Sequence, residues 1–317
     1  MAKMAYLQQT FNDGQILTHT HLNNLENRVS LKQNPQGSPC IHVSFDDVTD
    51  VITALASGSL ASAWDNSFLA MLKEYHEKYG FVFSMYLQSK PSSVSTKYQT
   101  ELGAAAEWLK WSIHSFNNGN YGSSTYNNGK TDWNSMVDIV LKLTGTATAI
   151  DRMPRLHQFY GSEAALQGMR DASYGALGFL STDDTRSAYY LPQEQLNYLY
   201  EGENDHITDI KNGLVFYRTD LRLDWFKGAG FTYNAAAGMS NHDPANNSDI
   251  YGELAIRYTN SLYTNTWNCY VIFTHQWQPI SAIKDALDDI GTFALEKGIY
   301  FDYPQNKWAY PTPKDIK

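Results

Sequence analysis

Hydrophobic and polar positions change period repeatedly along this 317-residue chain. Short runs rich in β-branched and aromatic residues read as buried strands. They alternate with longer stretches whose apolar residues recur every three or four positions, as in amphipathic helices. Residues 41–45 predict a strand that ends at two adjacent acids, Asp46 and Asp47. Residues 65–79 place Phe68, Leu69, Leu72, Tyr75, His76 and Tyr79 on one helical face, and Gly80 ends that helix. Further strands are predicted over 81–87, 111–114, 153–157, 176–180, 214–217 and 270–275, with helices over 96–109, 133–143, 162–171, 250–262 and 280–297. Such alternation predicts an α/β fold with a parallel sheet, open or closed into a barrel. Two Asn/Gly/Ser-rich segments, 117–132 and 232–249, read as loops over a rim, and there is no internal repeat.

Residues 1–38 form a separate unit ahead of a main domain spanning 39–317. Phe11-Asn12-Asp13-Gly14 is turn chemistry, and Thr18 can cap a helix carrying Leu22, Leu25 and Val29 on one seam. A polar, Pro/Gly-rich linker, Gln33 to Pro39, follows. So short a seam is not stable alone, so it must dock on a partner, a sister chain or the main domain.

Composition narrows the class. No apolar run approaches membrane-spanning length and nothing at the amino terminus resembles a secretory signal, so a soluble protein, cytoplasmic as made, is expected. A net charge of −9 argues against a nucleic-acid partner. The abundant Tyr and Trp suit sugar stacking and core packing equally. Cys40 and Cys269 show no metal spacing and read as free buried thiols.

The chemistry-bearing residues fall at predicted strand ends: Asp46 and Asp47, then His114, then Arg155 and His157, then Asp183 and Asp184, and finally His275. Strand ends of one parallel barrel converge on one mouth. Each residue alone has a structural explanation; Asp46, for example, could cap a helix starting near Thr49.

Ser44-Phe45-Asp46-Asp47, His114-Ser115, Arg155 with Gly161, and Val271-Ile272-Phe273-Thr274-His275 occur in an order that resembles the NodB-homology polysaccharide deacetylases of carbohydrate esterase family 4. The resemblance spans residue 41 to about 280 and implies a distorted, incomplete (β/α) barrel. It also implies a metal-dependent hydrolase that removes N- or O-linked acetyl groups from a polysaccharide, in the amide case by cleaving a carbon–nitrogen bond. Asp47 and His114 would ligate a divalent ion, with zinc the expected one, and Asp46 would be the general base. His275 would be the general acid. Arg155 would hold Asp46 ionised, and Asp183 or Asp184 would orient His275. His157, Tyr160 and Trp277 stand as substrate contacts.

One departure matters: Asn118 occupies the place of the family's second metal-binding histidine. Asn118 could ligate weakly, His157 or Asn117 could substitute, or the metal could be lost. Loss would leave a catalytically silent carbohydrate-binding or virion-structural domain. A glycoside hydrolase using Asp46 with Asp184 is a third reading, but it leaves His114 and His275 unexplained. Residues 11–26 resemble the amino-terminal segment of phage tail and baseplate proteins, which implies a virion setting with tail components or self-association as partners.

Overall fold

The computed structural model describes residues 39–116, 119–181, 188–200, 206–232, 249–264 and 269–307. The predicted extension, residues 1–38, lies outside them. Strand β1 (Cys40–Val48) opens the fold, followed by α1 (Asp50–Ser57), α2 (Ser67–Tyr79), β2 (Phe83–Leu87), α3 (Gln99–Ala104) and β3 (Leu109–Ile113). Next come α4 (Tyr126–Thr144), α5 (Glu163–Arg170), β4 (Gly178–Leu180), α6 (Gln193–Tyr200), β5 (His206–Asp209) and β6 (Leu214–Tyr217). The described chain ends with β7 (Leu221–Arg222), α7 (Ile250–Thr264), β8 (Cys269–His275), α8 (Ile280–Lys297) and β9 (Tyr300–Phe301).

A parallel sheet runs in the order β3-β2-β1-β8-β7, with β9 added beside the start of β1. A second, three-stranded sheet runs β4-β6-β5, with β5 antiparallel. The fold is therefore mixed α/β around a parallel centre, and no closed barrel ladder forms among the described residues. Register partners share a face. On one face Cys40 lies beside Cys269, Ser44 beside Phe273 and Asp46 beside His275. The opposite face of β1 to β3, including Ile41, Val43, Phe45, Met85 and Trp111, joins the helices in the main hydrophobic core. Both cysteines are buried and neither forms a disulfide.

Local chemistry explains several boundaries. Asn66 caps α2 by accepting hydrogen bonds from the Phe68 and Leu69 N–H groups, and Gly80 ends it at φ 82°. Residues 153–157, expected as a strand, form irregular extended chain wedged between β3 and β4. Asp151 and His157 donate their N–H groups to the Trp111 and His114 carbonyls, and Leu180 donates to the Pro154 carbonyl. Pro154 has no N–H to continue a ladder, so the segment fills a strand's place without being one.

The rim loop expected over 117–132 is shorter, because α4 already begins at Tyr126. Asn127-Asn128-Gly129 looks like turn chemistry, but Gly129 serves helix packing. A Cβ there would lie 2.1 Å from the Ala165 carbonyl oxygen of α5, and one on Gly168 would lie 2.0 Å from that of Tyr126. Most of the 232–249 segment lies outside the described residues. No helix among the described residues is long and apolar enough to cross a membrane.

The α4–α5 contact gives a direct test. Gly129→Ala gains about 1 kcal/mol of helix propensity, yet it should be net destabilising by about 1–3 kcal/mol because the added methyl overpacks the crossing. Urea denaturation measures this, and a stabilised variant would refute the close approach.

Candidate active site

Neighbouring residues of a regular strand point to opposite faces, so Asp46 and Asp47 should diverge. They do not, because β1 is irregular where they sit. Its pairing with β2 matches Phe45 to Met85 and then Val48 to Leu87, leaving one extra residue on β1. Asp47 takes a left-handed φ of 57°. A bulge of this kind re-aims side chains, and both carboxylates come within 4.0 Å of His114. Asp46 does not cap the next helix: α1 is preceded by Thr49 and has no side-chain cap.

Asp46 is 2% exposed and faces Arg155, which is 1% exposed. The Arg155 guanidinium donates to Asp46 Oδ1 at 3.1 Å, to Ser44 Oγ at 3.0 Å and to Thr219 Oγ1 at 3.0 Å. It also lies over the Phe273 ring at 4.0 Å. A buried charge of either sign is costly without such partners, so the pair stands or falls together.

His114 Nδ1 lies 2.7 Å from the Arg155 carbonyl oxygen, which can only accept, so Nδ1 carries the proton. Burial pushes the His114 pKa down, against the raising effect of the Asp46 and Asp47 charges, which favours the neutral ring. Its Nε2 lone pair then faces Asp47 Oδ1 at 3.4 Å. That carboxylate oxygen is buried and has no hydrogen-bond donor. His157 completes a cluster with these two: one ligand atom from each of Asp47, His114 and His157 lies within 4.8 Å of the others. His157 starts a short turn in which Gln158 and Phe159 both take left-handed φ near 58°. Each such non-glycine residue costs about 1–3 kcal/mol, and strain of this kind gathers at functional sites.

Opposite this cluster, His275 Nδ1 bonds Asp224 Oδ2 at 2.6 Å. Asp224 also accepts from Thr274 Oγ1 at 2.6 Å and from the Arg222 guanidinium at 3.2 Å. Burial disfavours the charged forms of both partners. It is outweighed at His275 by the Asp224 carboxylate, so the imidazole is raised above its ordinary pKa. At Asp224, attraction to His275 and Arg222 outweighs burial and holds the carboxyl down at about 2. His275 Nε2 points back into the site, 3.8 Å from Asp47 Oδ2.

The sequence-predicted residues Asp46, Asp47, His114, Arg155, His157, Trp277 and His275 are thus brought together. His157, expected either as a substrate contact or as a substitute for Asn118, groups with Asp47 and His114. Trp277 donates its indole N–H to Asp47 at 3.1 Å. Tyr160 is exposed and is tied by backbone bonds to His157 and Tyr121 on the rim. Asn118, Asp183 and Asp184 lie outside the described residues. The carboxylate that bonds His275 is Asp224, which the sequence reading left without a role. Leu221-Arg222-Leu223-Asp224-Trp225 alternates apolar and charged residues and carries an acid near its end, which is the signal that marks it.

No protein-family model matches the chain, and no curated protein matches it either. Among solved structures, a Mycobacterium smegmatis protein assigned as a polysaccharide deacetylase matches at 9% identity and TM-score 0.46, covering 84% of this chain and 87% of its own. A family 4 carbohydrate esterase from Streptomyces lividans matches at 11% identity and TM-score 0.36, covering 85% and 94%. A mutant of a family 4 pseudoenzyme matches at 11% identity and TM-score 0.34, covering 84% and 65%. What the site can do follows from its own residues.

The Asp224–His275 pair has a defined pH signature. Because the folded pKa of His275 is raised, its stabilising contribution is complete below the unfolded value of about 6.5 and is lost as pH rises through the folded value. In Asp224→Asn the His275 pKa should fall, because the carboxylate that raises it against burial is gone. NMR titration of the His275 ring reads this, and an unchanged titration would exclude Asp224 as the cause.

Proposed function

We propose that this protein is a metal-dependent hydrolase that removes acetyl groups from a polysaccharide. The observation that carries this reading is the pair of facing acceptors, the orphaned Asp47 Oδ1 and His114 Nε2 at 3.4 Å. Two lone pairs at that separation repel unless a cation lies between or beside them. With His157 the donor set is one carboxylate oxygen and two imidazole nitrogens, a combination suited to zinc with positions left open. Asn118 is then not needed as a ligand.

When bound, the ion supplies Lewis acidity toward a water and toward the acyl carbonyl. Asp46 takes a proton from the attacking water as general base. Arg155 fixes the direction of that carboxylate by its hydrogen bond. His275, held protonated by Asp224, donates to the departing nitrogen or oxygen. The water oxygen joins the acyl carbon, the bond from that carbon to the sugar's nitrogen or oxygen breaks, and acetate leaves. The motif order and the exposed Trp277 beside the site support a glycan as the substrate. The amino-terminal segment that resembles phage tail proteins would deliver this activity to a surface glycan.

Two measurements test the reading together. Purified protein should bind stoichiometric zinc, and Asp47→Ala, His114→Ala and His157→Ala should each lose it while Asn118→Ala does not. Asp46→Asn should keep the zinc yet lower acetate release from N-acetylchitooligosaccharides by roughly 10²–10⁴-fold. A wild-type protein that binds no zinc would leave the silent carbohydrate-binding domain as the reading.

A further inference from the structure

Trp277 is 44% exposed although it is a large aromatic residue next to a buried site. Three contacts define its position. Its indole N–H donates to Asp47 Oδ2 at 3.1 Å. Its ring stacks on the His275 imidazole at 5.2 Å between centroids and 26° between planes. Beyond it opens a groove of about 410 Å³ that is also lined by Asp47, Asp50, Ser89 and Gln276. The backbone under the groove is held in turn, because Gln276 Oε1 accepts the Asp50 N–H at 3.1 Å and the Gln276 N–H donates to the Asp46 carbonyl at 2.9 Å.

We propose that Trp277 is a positioning residue for Asp47 and that its exposed ring face is the platform of a subsite for a sugar ring next to the one being deacetylated. This rests on the metal-hydrolase reading above. Asp47 has two carboxylate oxygens, and the left-handed bulge aims the side chain without choosing between them. The indole N–H occupies Oδ2, which leaves Oδ1 as the oxygen turned toward His114. Hydrogen bonds to ligating carboxylates of this kind set metal affinity, and their loss costs roughly 10–100-fold. The opposite, open face of the indole offers apolar area to the C–H face of a pyranose. The groove's amide, hydroxyl and carboxylate groups suit sugar hydroxyls or an amine already freed by deacetylation, and would repel a polyanionic glycan.

The test separates the N–H from the ring. Trp277→Phe keeps a stacking face and removes the donor; Trp277→Ala removes both. Zinc affinity is measured by calorimetry, after urea denaturation has shown each variant to be folded. Kinetics at saturating zinc are compared for an N-acetylchitooligosaccharide, long enough to reach the groove, and for an aryl acetate, which is not. Trp277→Phe should bind zinc roughly 10–100-fold more weakly with an unchanged oligosaccharide KM. Trp277→Ala should share the zinc defect and also raise the oligosaccharide KM roughly 10-fold, about 1.4 kcal/mol, leaving aryl acetate turnover as in Trp277→Phe. Wild-type zinc affinity in Trp277→Phe overturns the positioning role, and an unchanged oligosaccharide KM in Trp277→Ala overturns the subsite. If the wild-type protein binds no zinc, the metal reading itself has failed. Oligosaccharide affinity of wild type against Trp277→Ala then still decides the subsite.

Discussion

Two acids adjacent in sequence must both face one mouth, although a β-strand sends adjacent side chains to opposite faces. The bulge at the end of β1 meets this constraint, and the rest of the site depends on it. The extra residue on β1 and the left-handed φ of 57° at Asp47 turn the second carboxylate without unseating the first. Asp46 keeps its regular place beside His275 on β8 and reaches Arg155. Asp47, displaced, meets His114 on one side and Trp277 on the other. Regular backbone there would separate the general-base candidate from the ligand candidate by the thickness of the sheet.

Burying this much charge requires that each group be answered. Asp46 is matched by Arg155, and Asp224 by His275 with Arg222. In each pair the attraction offsets a desolvation penalty of several kcal/mol per ion. The two pairs have different consequences. Arg155 fixes the direction of the Asp46 carboxylate by a hydrogen bond, whereas a histidine raised in pKa can carry a proton and release it. Asp47 accepts a hydrogen bond from the neutral Trp277 indole on one oxygen, and its buried second oxygen accepts none. Two carboxylates and an imidazole of different environments therefore lie within a single mouth, distinguished by partners rather than by residue type.

Much of the architecture was legible because strand and helix periods are local. The runs before Asp46 and His275, the apolar face ending at Gly80 and the closing helix are written in spacings of two to four residues, set by backbone geometry alone. The strand-end positions of Asp46, Asp47, His114 and His275 followed from those runs. Where local signals misled, long-range packing was responsible. Gly129 reads as a turn but serves the close crossing of α4 and α5, and Pro154 sits in extended chain that neighbours on both sides hold without a regular ladder.

The partnerships within the site were decided by tertiary structure. The β7–β8 register sets Arg222 beside Phe273 and brings Asp224 to His275, a pairing across 51 residues. No spacing rule favours that acid over Asp183 or Asp184. His157 joins Asp47 and His114 through an irregular, strained turn, and Trp277 meets Asp47 across 230 residues. The sequence by itself determined which chemical groups stand at the ends of which strands, because side-chain alternation is a property of a few consecutive residues. Tertiary structure alone decided which group answers which, because that depends on sheet register and on left-handed turns between segments far apart in the chain.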